Sequence, residues 1–189
     1  MKKILLLVLL TFSTLSFGQE TEFKFTKNGF TDFVVTSVEG KTQQELYKKT
    51  LDWIQVTYKN PKEVLLAQIE NDYIRFEGIQ RNSLCTKSLG MNICSNIRYQ
   101  IEVSFKDGKY KFDVIKLETY TEPSKYTSGG WYEFPINSND YNAYYKTNGE
   151  IKPMFKSYPE SLEKTFNDLN KNLELFIKSE TLNTKKSDW

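Results

Sequence analysis

The chain has 189 residues, a formal net charge of +2 and no histidine. Its length suits one domain, and 39% hydrophobic with 26% charged residues is a globular rather than a disordered or fibrous composition. Without histidine there is no Ser-His-Asp or Cys-His nucleophile, and no zinc or iron site built on imidazole.

The chain opens with Lys2 and Lys3, then an apolar run from Ile4 to Leu10, then small residues at Ser16 and Gly18. These are the three parts of a secretory signal peptide, so residues 1–18 are read as one, with cleavage between Gly18 and Gln19. The run is too short for a membrane span, which needs about 20 apolar residues. The mature chain is therefore expected to be exported, periplasmic or secreted, and not membrane-spanning. Loss of Lys2 and Lys3 leaves it with no net charge. A neutral chain has no overall pull toward phosphate backbones, so nucleic acid is not an expected partner.

Residues 19–29 are polar with spaced phenylalanines and read as a loose lead-in. Residues 30–38, rich in Val, Phe and Thr, read as a strand ended by Glu39-Gly40. Thr42-Gln43-Gln44-Glu45 is a capping box. Behind it Leu46, Thr50, Trp53 and Thr57 recur at helical spacing, until Asn60-Pro61 stops the helix. A hairpin follows, residues 64–70 and 73–80 about an Asn71-Asp72 turn.

Cys85 and Cys94 come next. In an exported chain they are expected to form a disulfide, read here as a staple across a loop. The Cys-x-x-Cys spacing of a redox motif is absent. From Ile97 to Lys106 apolar and polar residues alternate, the pattern of a strand buried on one face. Asp107-Gly108 predicts a type I′ turn. Beyond it the alternation of Tyr110, Phe112 and Val114 slips by one at Ile115, which predicts a β-bulge.

Residues 122–156 form an aromatic-rich insertion with Gly129-Gly130, Pro123 and Pro135. A second helix is expected from a Ser157-x-x-Glu160 box with Pro159 in its first turn, striped by Leu162, Phe166, Leu169, Leu173 and Phe176. Residues 181–189 read as a frayed tail. The order is strand, helix, four strands, helix. It implies one α+β domain over 30–180, with both helices on one face of an antiparallel sheet.

Gly40-Lys41-Thr42 leading into Glu45-Leu46-Tyr47 and Trp53, then Phe76-x-Gly78, then Lys106-Asp107-Gly108-Lys109-Tyr110, resembles a family of uncharacterised exported bacterial proteins. That family is a domain of unknown function with a TATA-box-binding-protein-like (TBP-like) fold. The likeness spans residues 31–121. It implies a curved antiparallel sheet backed by two helices, and it brings no activity and no catalytic residues.

The functional expectations follow from what the residues lack and where the rings gather. No catalytic constellation, metal site or cofactor is predicted. Asn137-x-Asn139 imitates the start of a calcium loop, but Tyr141 stands where an oxygen ligand belongs. Trp131, Tyr132, Tyr126, Tyr144 and Tyr145 are candidates for a binding surface, since Tyr and Trp offer rigid contact area with a polar tip. The same rings could instead pack the insertion onto the sheet. The chain is read as a non-catalytic binding or assembly module of the envelope, its partner an envelope protein, a peptide or a glycan. The alternative is a carboxylate-dependent, glycosidase-like hydrolase using acids such as Glu133 and Asp140.

Overall fold

The computed structural model describes residues 20–136, 138 and 140–179. Residues 1–18, read above as a signal peptide, residues 181–189, read as a tail, Asn137 and Asn139 lie outside the described residues. The elements are β1 (Phe25–Thr26), β2 (Gly29–Phe30), β3 (Phe33–Ser37), α1 (Gln43–Thr57), α2 (Pro61–Val64), β4 (Leu65–Ile69), β5 (Tyr73–Ser88), β6 (Met91–Lys106), β7 (Lys109–Thr121), β8 (Gly130–Glu133), a 3-10 turn (Pro153–Phe155) and α3 (Tyr158–Lys178).

A six-stranded antiparallel sheet in the order β3-β7-β6-β5-β4 holds the molecule together, with β8 also paired to β7. Strand β6 occupies one edge of β7 along its length, so β3 and β8 lie end to end on the other. The alternation in β6 is realised as read: Ile97, Tyr99, Ile101, Val103 and Phe105 are all buried. Ile101 pairs with Val114 and Gln100 with Lys116, which leaves Ile115 as the extra residue of the expected bulge. That insertion returns Leu117 to the core side.

Helices α1 and α3 cover the apolar face. Helix α1 buries Leu46, Thr50, Trp53 and Ile54, and α3 buries Leu162, Phe166, Leu173 and Ile177. Trp53 meets Phe76 edge-on at 5.6 Å, and Phe166 meets Tyr99 at 5.7 Å. Each such side chain withdrawn from water contributes about 1.5–3 kcal/mol. Gly78 lies directly opposite Tyr99 in the ladder, and a Cβ there would stand 2.3 Å from the Tyr99 hydroxyl. The Phe76-x-Gly78 motif thus keeps a path open for a ring.

The capping box of α1 forms: Thr42 Oγ1 accepts from the Glu45 N–H at 3.2 Å, and Glu45 Oε2 accepts from the Thr42 N–H at 2.8 Å. The second expected box does not. Ser157 already has helical angles (φ −83°, ψ −11°), and its hydroxyl donates to the Cys85 carbonyl instead. At Asp107-Gly108 only Gly108 takes positive φ, so the turn is not the type I′ form. The Asp107 carboxylate is held elsewhere, by the N-terminus of α1.

Two segments differ from the sequence reading more deeply. The lead-in contains the β1–β2 hairpin and drives Phe23, Phe25 and Phe30 into the core. Its backbone is stitched to α3, with the Phe23 N–H donating to Asn167 Oδ1 and the Phe25 N–H to Glu163 Oε1, both at 2.8 Å. Strands of two residues leave too little pattern to see in sequence. The cysteine segment is not a loop. Beyond an irregularity between Gln80 and Leu84, β5 and β6 stay paired from Leu84↔Ser95 to Ser88↔Met91, turning at Leu89-Gly90. The Cys85–Cys94 disulfide joins directly opposed residues of this hairpin.

Candidate functional site

The face of the sheet away from the helices carries the side chains that alternate with the core. They pair with one another rather than standing free. Arg75 grips Glu102 Oε2 through Nη2 at 2.7 Å and Nε at 3.3 Å. Gln100 donates to Glu77 at 3.2 Å, and Lys111 meets Asp113 at 2.8 Å. Glu118 accepts from Arg98 Nε at 2.7 Å and lies 3.1 Å from Lys116 Nζ. The Arg98 hydrogen bond holds the Glu118 carboxyl below its ordinary value, and Glu118 holds the Arg98 guanidinium above its own. Such pairs contribute about 0–1 kcal/mol each when exposed, so they order this face more than they stabilise it.

Trp131 sits on that lattice. Strand β8 places it directly opposite Tyr120 and aligns Glu133 with Glu118. The indole lies 4.7 Å from the Arg98 guanidinium and 5.2 Å from the Tyr120 ring. Arg98 is thereby fixed from two sides, by a carboxylate and by an aromatic face. Trp131 is half-buried, one face on Arg98, at the open surface.

The structure does not bring the five candidate rings together. Tyr132 alternates to the other side of β8, where its hydroxyl is 3.3 Å from Thr127 Oγ1. Tyr126 is 90% exposed in the β7–β8 loop. Tyr144 and Tyr145 pack against the core. Tyr144 stacks on Phe134 at 5.8 Å and touches Phe155 at 5.1 Å, and the Tyr145 hydroxyl donates to the Phe25 carbonyl at 3.1 Å. Burial pushes both phenols up. Phe134 and Tyr141 are buried in the same cluster, so this half of the insertion packs the lead-in hairpin onto α3.

Glu133 lies on the open face of an edge strand, while the Asp140 carboxylate closes a local turn by accepting from the Asn142 N–H at 2.9 Å. Among the described residues no group of three or more His, Cys, Asp or Glu is placed to hold a metal ion. No helix among them is long and apolar enough to cross a membrane. The sequence alone did not single out Arg98, Glu118 and Tyr120 as Trp131's companions. Their signal lies in the register, legible only once the bulge at Ile115 is counted.

Residues 33–120 match the family described as a domain of unknown function (DUF4468) with TBP-like fold. A DUF4468 family protein from Bacteroides ovatus ATCC 8483 superposes with a TM-score of 0.61 at 13% identity, over 80% of this chain and 88% of that one. A TBP-like protein from Parabacteroides distasonis ATCC 8503 gives 0.52 at 12% identity, over 78% and 91%. At such identities these likenesses carry the fold alone. No curated protein matches the chain.

Proposed function

We propose that this chain, which carries a DUF4468 domain of TBP-like α+β fold across residues 33–120, is an exported envelope protein working as a non-catalytic binding or assembly module. Its contact surface is the open face of the sheet around Trp131. One observation supports this most: a half-buried indole is fixed over Arg98 on a sheet face that no helix among the described residues covers. An indole held that way presents a rigid edge and face at little entropic cost to a partner. The paired acids and bases beside it supply polar groups for orientation, while their mutual neutralisation disfavours a polyanion such as nucleic acid. The partner class this suits is a peptide or a glycan.

The test is Trp131→Ala, assayed for retention of isolated peptidoglycan sacculi and of detergent-solubilised envelope proteins. Retention lost with folding intact supports the reading. Retention unchanged overturns it.

A further inference from the structure

Two tips leave the sheet at the same end. Thr119 of β7 pairs with Ile97 of β6, so the end of β7 and the outer part of the β5–β6 hairpin face the same way. Beyond Leu84↔Ser95 that hairpin is a two-stranded finger, closed by its disulfide. Leu89 at its turn is 95% exposed, Met91 62% and Ile93 56%. The β7–β8 loop, which leaves the sheet at that same end, carries Tyr126, 90% exposed.

The turn itself is costly to build this way. Leu89 and Gly90 take φ of +49° and +82°, the type I′ pattern, whose first position suits Asn, Asp or Gly. A leucine in the left-handed region with its side chain in water gains nothing within the chain to offset that conformation. Lysines surround the tips. Lys87 is on the finger, Lys125 precedes Tyr126, and Lys156 borders the finger's base with Met154. None of the three has a carboxylate ion-pair partner among the described residues. The nearby acids, Glu122 and Glu160, stand at the roots, just after β7 and in the first turn of α3.

We propose that this end of the sheet docks on an anionic lipid bilayer, with Leu89 and Met91 entering the interface, Tyr126 at headgroup level and Lys87 and Lys125 against the headgroups. A bilayer accepts a convex apolar tip without a matching pocket, whereas a protein partner must supply one. Apolar insertion joined to basic residues is the pairing of signals that holds a peripheral protein to a membrane, and tyrosine is enriched at the interface. The surface lies at the tips beyond the last β7–β8 rung rather than on the open sheet face, and goes beyond the function proposed above.

The experiment is Leu89→Trp in the full chain, its emission compared with the parent on vesicles of phosphatidylethanolamine and phosphatidylglycerol, with and without a brominated phospholipid. The added indole should shift to the blue and be quenched by bromine. Lys87→Gln with Lys125→Gln should weaken that response about thirtyfold, the effect of two headgroup contacts, and vesicles of phosphatidylcholine should give little of it. The readout belongs to residue 89, so vesicle binding through another segment cannot imitate it. A residue 89 that stays in water overturns the proposal, and so does one shielded only by envelope proteins, which would assign the tip to a protein partner.

Discussion

The Asp107 carboxylate accepts the backbone N–H of Gln43 at 2.8 Å, a bond between residues 64 positions apart. Around it the Gly108 N–H donates to the Lys41 carbonyl and the Val38 N–H to the Gly108 carbonyl, both at 2.8 Å. The Gly40-Lys41-Thr42 and Asp107-Gly108-Lys109 motifs are therefore two halves of one joint, in which the β6–β7 turn caps the start of α1. A negative charge at a helix N-terminus also meets the helix dipole favourably.

Asp107→Ala should accordingly cost about 1 kcal/mol, within the usual range for a lost N-terminal cap. Denaturant melts of both proteins measure it, with a shifted midpoint and an unchanged slope. An unchanged midpoint would mean that water replaces the carboxylate without loss.

Gly78→Ala should be severely destabilising, because the new methyl would meet the Tyr99 ring within a strand pair that cannot spread. Pairing it with Tyr99→Leu, which removes the obstructing ring, should recover part of the loss. Thermal melts of the single and double variants show whether the two effects couple.

Val103→Asp should cost several kcal/mol by placing a charge in the core, while Glu102→Gln should cost less than about 1 kcal/mol, since its Arg75 pairing is partly exposed. Similar costs for these neighbours would contradict the one-faced sheet.

Much of this architecture was legible from the sequence, and the reason is physical. A strand buried on one face writes its register into the residue order. Thus β6 and the bulge at Ile115 could be placed from alternation alone, as could α1 from its capping box. The β1–β2 hairpin could not, because strands of two residues have no period. Nor could the finger, whose residues Thr86, Lys87 and Asn92 have no core beneath them to impose alternation. The aromatic insertion divided at a point no composition reveals, Tyr144 and Tyr145 turning inward and Trp131 outward. That division depends on which strand edge remained free, and β8 took the stretch of β7 that β3 leaves open.

Acid should loosen the Trp131 platform. The folded-state pKa of Glu118 lies below the ordinary value of 4.5, with the Arg98 hydrogen bond as its first cause. Its contribution is therefore present above that value and lost as pH falls through the folded pKa. Protonation frees Arg98, on which the indole rests. In a variant retaining only Trp131, emission should change in that acid range while the far-ultraviolet circular dichroism stays constant. Arg98→Met should abolish the transition.

The most direct test of the open-face contact surface is Trp131→Ala, with thermal stability and retention of sacculi and envelope proteins measured on the same preparation. The account predicts a melting point lowered by no more than about 2–4 °C, the equivalent of about 1 kcal/mol in a chain of this size, together with loss of retention. A melting point lowered far beyond that with retention intact would make Trp131 a packing residue and contradict the account.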